Sequence, residues 1–82
     1  MLKVSVVSPE ATLYEGEATS VVAPAFDGEV GILEHHAPMI TVLGQGTLRV
    51  DGATPARFTV SGGFVQVVDN TVRVVTEKAA RA

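Results

Sequence analysis

Cysteine is absent from the 82-residue chain, so neither a disulfide nor a thiolate metal site can hold it together. Aromatic residues make up 5%, too few for a base-stacking platform. Positive charge is scarce as well. Six Lys and Arg face nine Asp and Glu, for a net charge of −3. The cations Lys3, Arg49, Arg57, Arg73, Lys78 and Arg81 are scattered rather than gathered into a basic stripe, which argues against nucleic acid as a partner. No apolar run approaches the ~18 residues of a membrane span, and Met1-Leu2-Lys3-Val4 does not open a signal-peptide apolar region. Together with the missing cysteines, this reads as a cytosolic or compartment-interior chain.

Further absences narrow the chemistry. The only histidines are the adjacent His35 and His36; neighbours on an extended chain point to opposite faces, and no third histidine completes a zinc set. Ser5, Ser8, Ser20 and Ser61 lack a nucleophile-elbow context, and Glu29 and Glu34 show no spacing that makes them an acid/base pair. Gly44-Gln45-Gly46 lacks the Lys-Ser/Thr and helix of a phosphate loop. Lys3 and Lys78 lie in a first strand and a tail, not at a hairpin tip, which excludes a lipoyl- or biotinyl-type carrier. No catalytic residue, metal or cofactor is expected.

What is present is mainly period two. Leu2, Val4 and Val6 share one face against Lys3 and Ser5. Extended runs follow at Thr12–Thr19, with Gly16 marking a bulge or close approach, and at Ser20–Ala23, closed by Pro24. Asp27-Gly28 is a turn pair, Glu29–Leu33 a short strand, Glu34–Pro38 a loop and Met39–Leu43 another strand. Gly44–Gly46 is expected to turn the chain. Thr47–Asp51 and Arg57–Ser61 alternate cleanly, with Leu48, Val50, Phe58 and Val60 expected inward, Gly62-Gly63 breaks or bends the ladder, and Phe64–Val68 and Thr71–Thr76 flank the two-residue turn Asp69-Asn70. Fifteen valines and regularly spaced turns predict an all-β sandwich or barrel. Residues 1–76 are expected to form one β-sandwich domain; 77–82 have helical composition but are too short to hold a helix alone.

A small domain without staples depends on its packing or on a partner covering one face. Tyr14, Met39, Ile40 and Phe64 sit on runs that also carry apolar residues on the opposite face, so either both faces are covered or some of this surface meets another protein. The densest punctuation lies in Phe26–Leu43, FDGEVGILEHHAPMITVL.

That stretch, with VSPEATLYEGEA at Val7–Ala18 and FTVSGGFVQVVDNTVRVV at Phe58–Val75, resembles the N-terminal domain of the F-type ATP synthase epsilon subunit family. The resemblance implies a flattened β-sandwich of about ten short strands, followed in most members by a two-helix domain. This chain stops at about the point where those helices begin, which implies coupling without inhibition through them. It further implies a non-catalytic rotor-stalk subunit joining the gamma subunit to the c-ring, in a complex with alpha and beta subunits at the cytoplasmic face of the bacterial inner membrane, and coupling proton flow to ATP synthesis. By position, Asp27, Gly28, Glu29 and Val30 match the ring-facing loop, and Ser8, His36, Met39 and Thr41 match the gamma-facing surface. Many members carry Pro-Gly ahead of His-Ala-Pro, where this chain has Glu34-His35. Without the resemblance, the residues equally describe a small β-sandwich interaction module unrelated to ATP synthase.

Overall fold

The computed structural model describes residues 1–81. Among the described residues eight strands form: β1 (Leu2–Val7), β2 (Thr12–Ala18), β3 (Ser20–Ala25), β4 (Gly28–Leu33), β5 (Met39–Val42), β6 (Gln45–Asp51), β7 (Ala56–Val68) and β8 (Thr71–Arg81). Their order in the sheet is β2-β1-β8-β7-β6-β3-β4, and β5 pairs with β7. All pairings are antiparallel except β1 with β8, which is parallel.

The two long strands explain how eight strands make a sandwich. One half of β7 pairs with β6 (Gln45↔Ser61), and the other half pairs with β5 (Val42↔Phe64). β8 runs beside both halves in a single register, from Phe58↔Arg81 to Val68↔Thr71. Between the halves lie Gly62 and Gly63, at φ +76° and +108°. There the ladder creases and the buried set changes parity. Ala56, Phe58 and Val60 are buried on one side of the crease, and Val65 and Val67 on the other. One layer is then β2, β1, the first half of β8, the second half of β7, and β5. The other is the remaining halves with β6, β3 and β4. Counted by layer, these are ten strand segments, five to a layer, which accounts for the expected number.

The core lies between the layers. Leu2, Val4, Val6, Val65, Val67, Val72 and Val74 come from one, and Val21, Ile32, Leu48, Val50, Phe58 and Val60 from the other. Tyr14 crosses from β2 to meet Phe58 edge-on, with ring centroids 6.1 Å apart, and its hydroxyl donates to Thr54 O at 2.8 Å. A buried Tyr needs such an acceptor, and the bond ties β2 to the β6–β7 connection. Among the described residues no buried side-chain polar atom lacks a partner.

Several local expectations change. Gly44–Gly46 is not a hairpin turn, because β5 and β6 run in the same direction along one edge of β7. Gly44 is there for close approach: a Cβ would stand 2.8 Å from Ala25 O, and its N–H donates to Pro24 O at 2.7 Å. Pro24 does not close β3 but lies within it, beyond the last residue paired to β6; β4 flanks it on one side, and on the other its carbonyl accepts the Gly44 N–H beside the Ala25–Leu43 bridge. Gly16 is a close approach, under the Tyr14 ring, and the register shift falls at Val6/Val7 instead. Glu77–Arg81, read as a tail, continue β8 by pairing with the first half of β7, and Arg81 lies over the Phe58 ring at 5.3 Å. Residue 82 lies outside the described residues.

A Cβ at Gly63 would stand 1.9 Å from Val75 O, whereas one at Gly62 meets only the Glu77 side chain at 3.3 Å. Gly63→Ala is therefore expected to destabilise the domain by on the order of 3 kcal/mol or more, and Gly62→Ala by about 1–2 kcal/mol from left-handed strain alone. Urea denaturation of both variants checks the ranking.

Candidate functional site

Asp27, Gly28, Glu29 and Val30 lie on the β3–β4 hairpin. Ala25 pairs with Gly28, so Phe26 and Asp27 form the tip, and Gly28 takes φ +130° just after it. Asp27, Gly28 and Glu29 are exposed, while Val30 turns inward and packs against the core. The tip sits against the end of β5: Phe26 N–H donates to Val42 O at 3.2 Å, and the Phe26 ring is 71% exposed.

The second predicted set is spread out. Ser8 closes β1 in a short turn, with its N–H donating to Ala11 O at 2.8 Å. Met39 and Thr41 lie on the inward row of β5, opposite the buried Val67 and Val65, and are half-buried. His36 precedes β5 at the opposite end of the layer from Ser8, with Nδ1 2.8 Å from Ala37 O. The carbonyl can only accept, so Nδ1 carries the proton.

The outward row of the same layer is apolar. The registers align Val7 of β1 with Val75 of β8, Val75 with Phe64 of β7, and Phe64 with Val42 of β5. Val7, Phe64 and Val75 are half-buried, and Val42 is 58% exposed. Ile40, one pleat along β5, is 67% exposed. The next row, Ile40–Gln66–Arg73–Ser5–Glu15, is polar beyond Ile40. A four-strand apolar row bordered by polar residues is the pattern of a protein-contact surface. The sequence had singled out Ile40 and Phe64 but missed Val7, Val42 and Val75. Their signal was a set of apolar doublets, Val6-Val7, Val42-Leu43, Phe64-Val65 and Val74-Val75, one in each of four strands. A strand buried on one face needs only one member of each. Of the other residues singled out, Tyr14 belongs to the core.

The β4–β5 loop has its own constraint. His36 N–H donates to Leu33 O at 3.2 Å, closing a turn whose third residue, His35, has φ +64°. A left-handed third position defines the type II pattern, which favours Gly there and Pro before it; this chain places Glu34 and His35 in those positions. The Met1 ammonium lies 2.7 Å from Glu34 Oε1. That hydrogen bond, and then the ammonium charge, hold the Glu34 carboxyl below its usual range. The pair is exposed and contributes little to stability. The small stabilisation is present at neutral pH and is lost as the pH falls through the depressed Glu34 value. Among the described residues no group of three or more His, Cys, Asp or Glu is placed to hold a metal.

Because His tolerates a left-handed φ better than a β-branched residue does, His35→Val is expected to cost about 1–2 kcal/mol, while His35→Gly leaves the denaturation midpoint unchanged or raised. Parallel thermal melts of the two variants check this.

Comparison with known proteins matches the whole chain, residues 1–82, to the family described as ATP synthase, Delta/Epsilon chain, beta-sandwich domain. The ATP synthase epsilon chain of Leptospira borgpetersenii is 46% identical over 80 residues, covering 96% of this chain and 63% of that protein. The epsilon chain of Rhodopirellula baltica is 48% identical over 75 residues, covering 90% and 59% respectively. This chain thus spans about three-fifths of the length of these relatives. In the Euglena gracilis mitochondrial ATP synthase (OSCP/F1/c-ring, rotational state 1), one chain superposes with a TM-score of 0.88 at 21% identity, over 98% of this chain and 52% of that one. A chain of the central stalk/c-ring structure from Tetrahymena thermophila gives 0.84 at 18% identity, over 96% and 65%. These identities show a shared fold, and the family model and bacterial relatives show the lineage: the chain belongs to the β-sandwich domain family of ATP synthase delta/epsilon chains.

Proposed function

We propose that this chain is the sandwich end of a non-catalytic rotor-stalk subunit of a proton-translocating F-type ATP synthase. It fastens the gamma subunit to the c-ring, within a complex that includes alpha and beta subunits, at the cytoplasmic face of a bacterial inner membrane. The observation that carries the reading is the outward row Val7–Val75–Phe64–Val42 with Ile40 beside it. Family membership and the bacterial epsilon-chain relatives support it. So do the subunits named in the solved structures of the same fold, F1 with the c-ring and the central stalk with the c-ring.

In this reading the outward row faces gamma. Ser8 lies at one margin, directly after Val7, and His36 at the far end of β5. Met39 and Thr41 support the row from its inner side. Covering each exposed apolar side chain contributes roughly 1.5–3 kcal/mol. Several such side chains can offset the cost of association and leave a stable complex. The ring-facing loop is the hairpin tip with Asp27, Gly28 and Glu29, and Val30 anchors it to the core. The bond from Phe26 to Val42 makes the two surfaces adjoin. A load passed from gamma to the tip then crosses one hydrogen-bonded junction between rigid strands, which suits a coupling that must not give under torque.

Ile40→Asp changes an exposed side chain, so the melting curve is expected to stay as it is. Its affinity for purified gamma is expected to fall by about 10-fold, the range for losing an exposed apolar contact beside the row. Retention of full affinity removes the row from the interface. Glu29→Arg, on the exposed start of β4, is expected to leave the fold and gamma binding intact. Capture of the chain–gamma pair on c-rings is expected to weaken by a few-fold at low salt, as for one rim charge. Unfolding of that variant shows Glu29 to be structural instead.

A further inference from the structure

Between the β4–β5 loop and the β7–β8 turn lies a cleft of about 420 Å³, lined by His35, His36, Ala37, Pro38, Asp69 and Asn70. One contact crosses it. Asn70 Oδ1 accepts the His35 N–H at 2.6 Å, joining residues 35 apart in sequence. The donor is a main-chain N–H, so the amide must present its oxygen. The main-chain oxygen of the same Asn70 accepts the Lys3 N–H at 2.8 Å. One residue therefore ties together the hairpin turn, the start of β1 and the loop leading into β5.

The turn itself does not require that side chain. Asp69 and Asn70 sit at φ +49° and +60°, a two-residue turn left-handed at both positions. Gly in second place after Asp suits this geometry at least as well as Asn does. The loop, by contrast, has weaker support of its own: an exposed ion pair from the Met1 ammonium to Glu34 and a bond from the His36 ring to the neighbouring Ala37 O, neither of which touches His35. His35 occupies a left-handed φ, and the local bond from His36 to Leu33 is the longer one, at 3.2 Å. The asymmetry is informative: the side-chain oxygen at position 70 is spare to the hairpin and is spent on the loop.

We infer that Asn70 is the positioning residue of the β4–β5 loop, holding His35 in its left-handed turn so that His36 and the entry to β5 are set before a partner arrives. That it serves gamma docking rests on the reading of the outward row given above. Its effect on the loop does not.

The test compares Asn70→Gly with Asn70→Asp in the full 82-residue chain. Glycine keeps the turn and deletes the acceptor; aspartate keeps both. NMR exchange of the His35 amide is expected to quicken by at least about tenfold in the glycine variant and to stay protected in the aspartate variant. The glycine variant's denaturation midpoint is expected to fall only slightly, as for the loss of one exposed hydrogen bond, and its affinity for purified gamma to be several-fold lower. Unchanged His35 exchange in the glycine variant overturns the inference whatever gamma does. Exchange that quickens as much at the amides of β7 and β8 flanking the turn as at His35 places the role of Asn70 in the turn and overturns it too. Faster exchange with undiminished gamma affinity overturns the step from loop to docking. If the unsubstituted chain itself fails to bind gamma, the docking reading fails, and the exchange rates alone decide the clamp.

Discussion

The main-chain oxygen of Val75 leaves no room for a side chain on residue 63. That steric limit, with two consecutive glycines at positive φ, lets three neighbouring strands crease along one line without losing register. Everything larger depends on it. A sheet of eight strands wide enough to bury a core on one side would leave the other half of its apolar rows in water. Folding it over at Gly62-Gly63 closes both halves on a shared interior and gives an 82-residue chain without disulfides a continuous core. The overall extents, 27 × 26 × 18 Å, are those of a flattened two-layer body.

The same crease arranges the surface. Because β8 pairs with both halves of β7 and β1 adds in parallel to β8, four strands arrive at the crease with their apolar doublets at one level. One member of each doublet enters the core. The other faces outward, and the outward members line up across the layer. At its end the row meets the β3–β4 hairpin through Phe26 and Val42. The outward apolar row and the charged tip are thus fixed relative to each other by strand register, with no loop between them that could flex.

Much of this was legible in the chain. Alternation placed Leu2, Val4, Val6, Leu48, Val50, Phe58 and Val60 inward, as observed. Asp69-Asn70 as a two-residue turn and Gly62-Gly63 as a bend followed from backbone chemistry. What local chemistry could not tell was which strands share an edge. Gly44-Gln45-Gly46 has the composition of a turn, yet its glycines are there because β3 presses against Gly44 and Gly46. Glu77–Arg81 has helical composition, but its backbone is claimed by the first half of β7. The parallel pairing of β1 with β8 joins the two ends of the chain and leaves no local mark. The candidate surface was half visible for the same reason: Ile40 and Phe64 stood out singly, whereas the row they belong to exists only once Val7, Val75 and Val42 are brought beside them. The clamp on the β4–β5 loop, between residues far apart in sequence, had no signal in the sequence at all.

The most direct test of the docking account uses the absence of cysteine. A single Val42→Cys substitution on the outward row and a single Thr47→Cys substitution on the outer face of the other layer each give one reporter, both at exposed positions. Maleimide labelling rates would be measured for each in the free chain and after assembly with gamma. The account predicts that assembly shields the cysteine at position 42 and leaves the one at position 47 as reactive as before. Equal labelling at 42 in both states, or protection at 47 alone, would contradict it and place the partner on the opposite layer or away from the sheet faces.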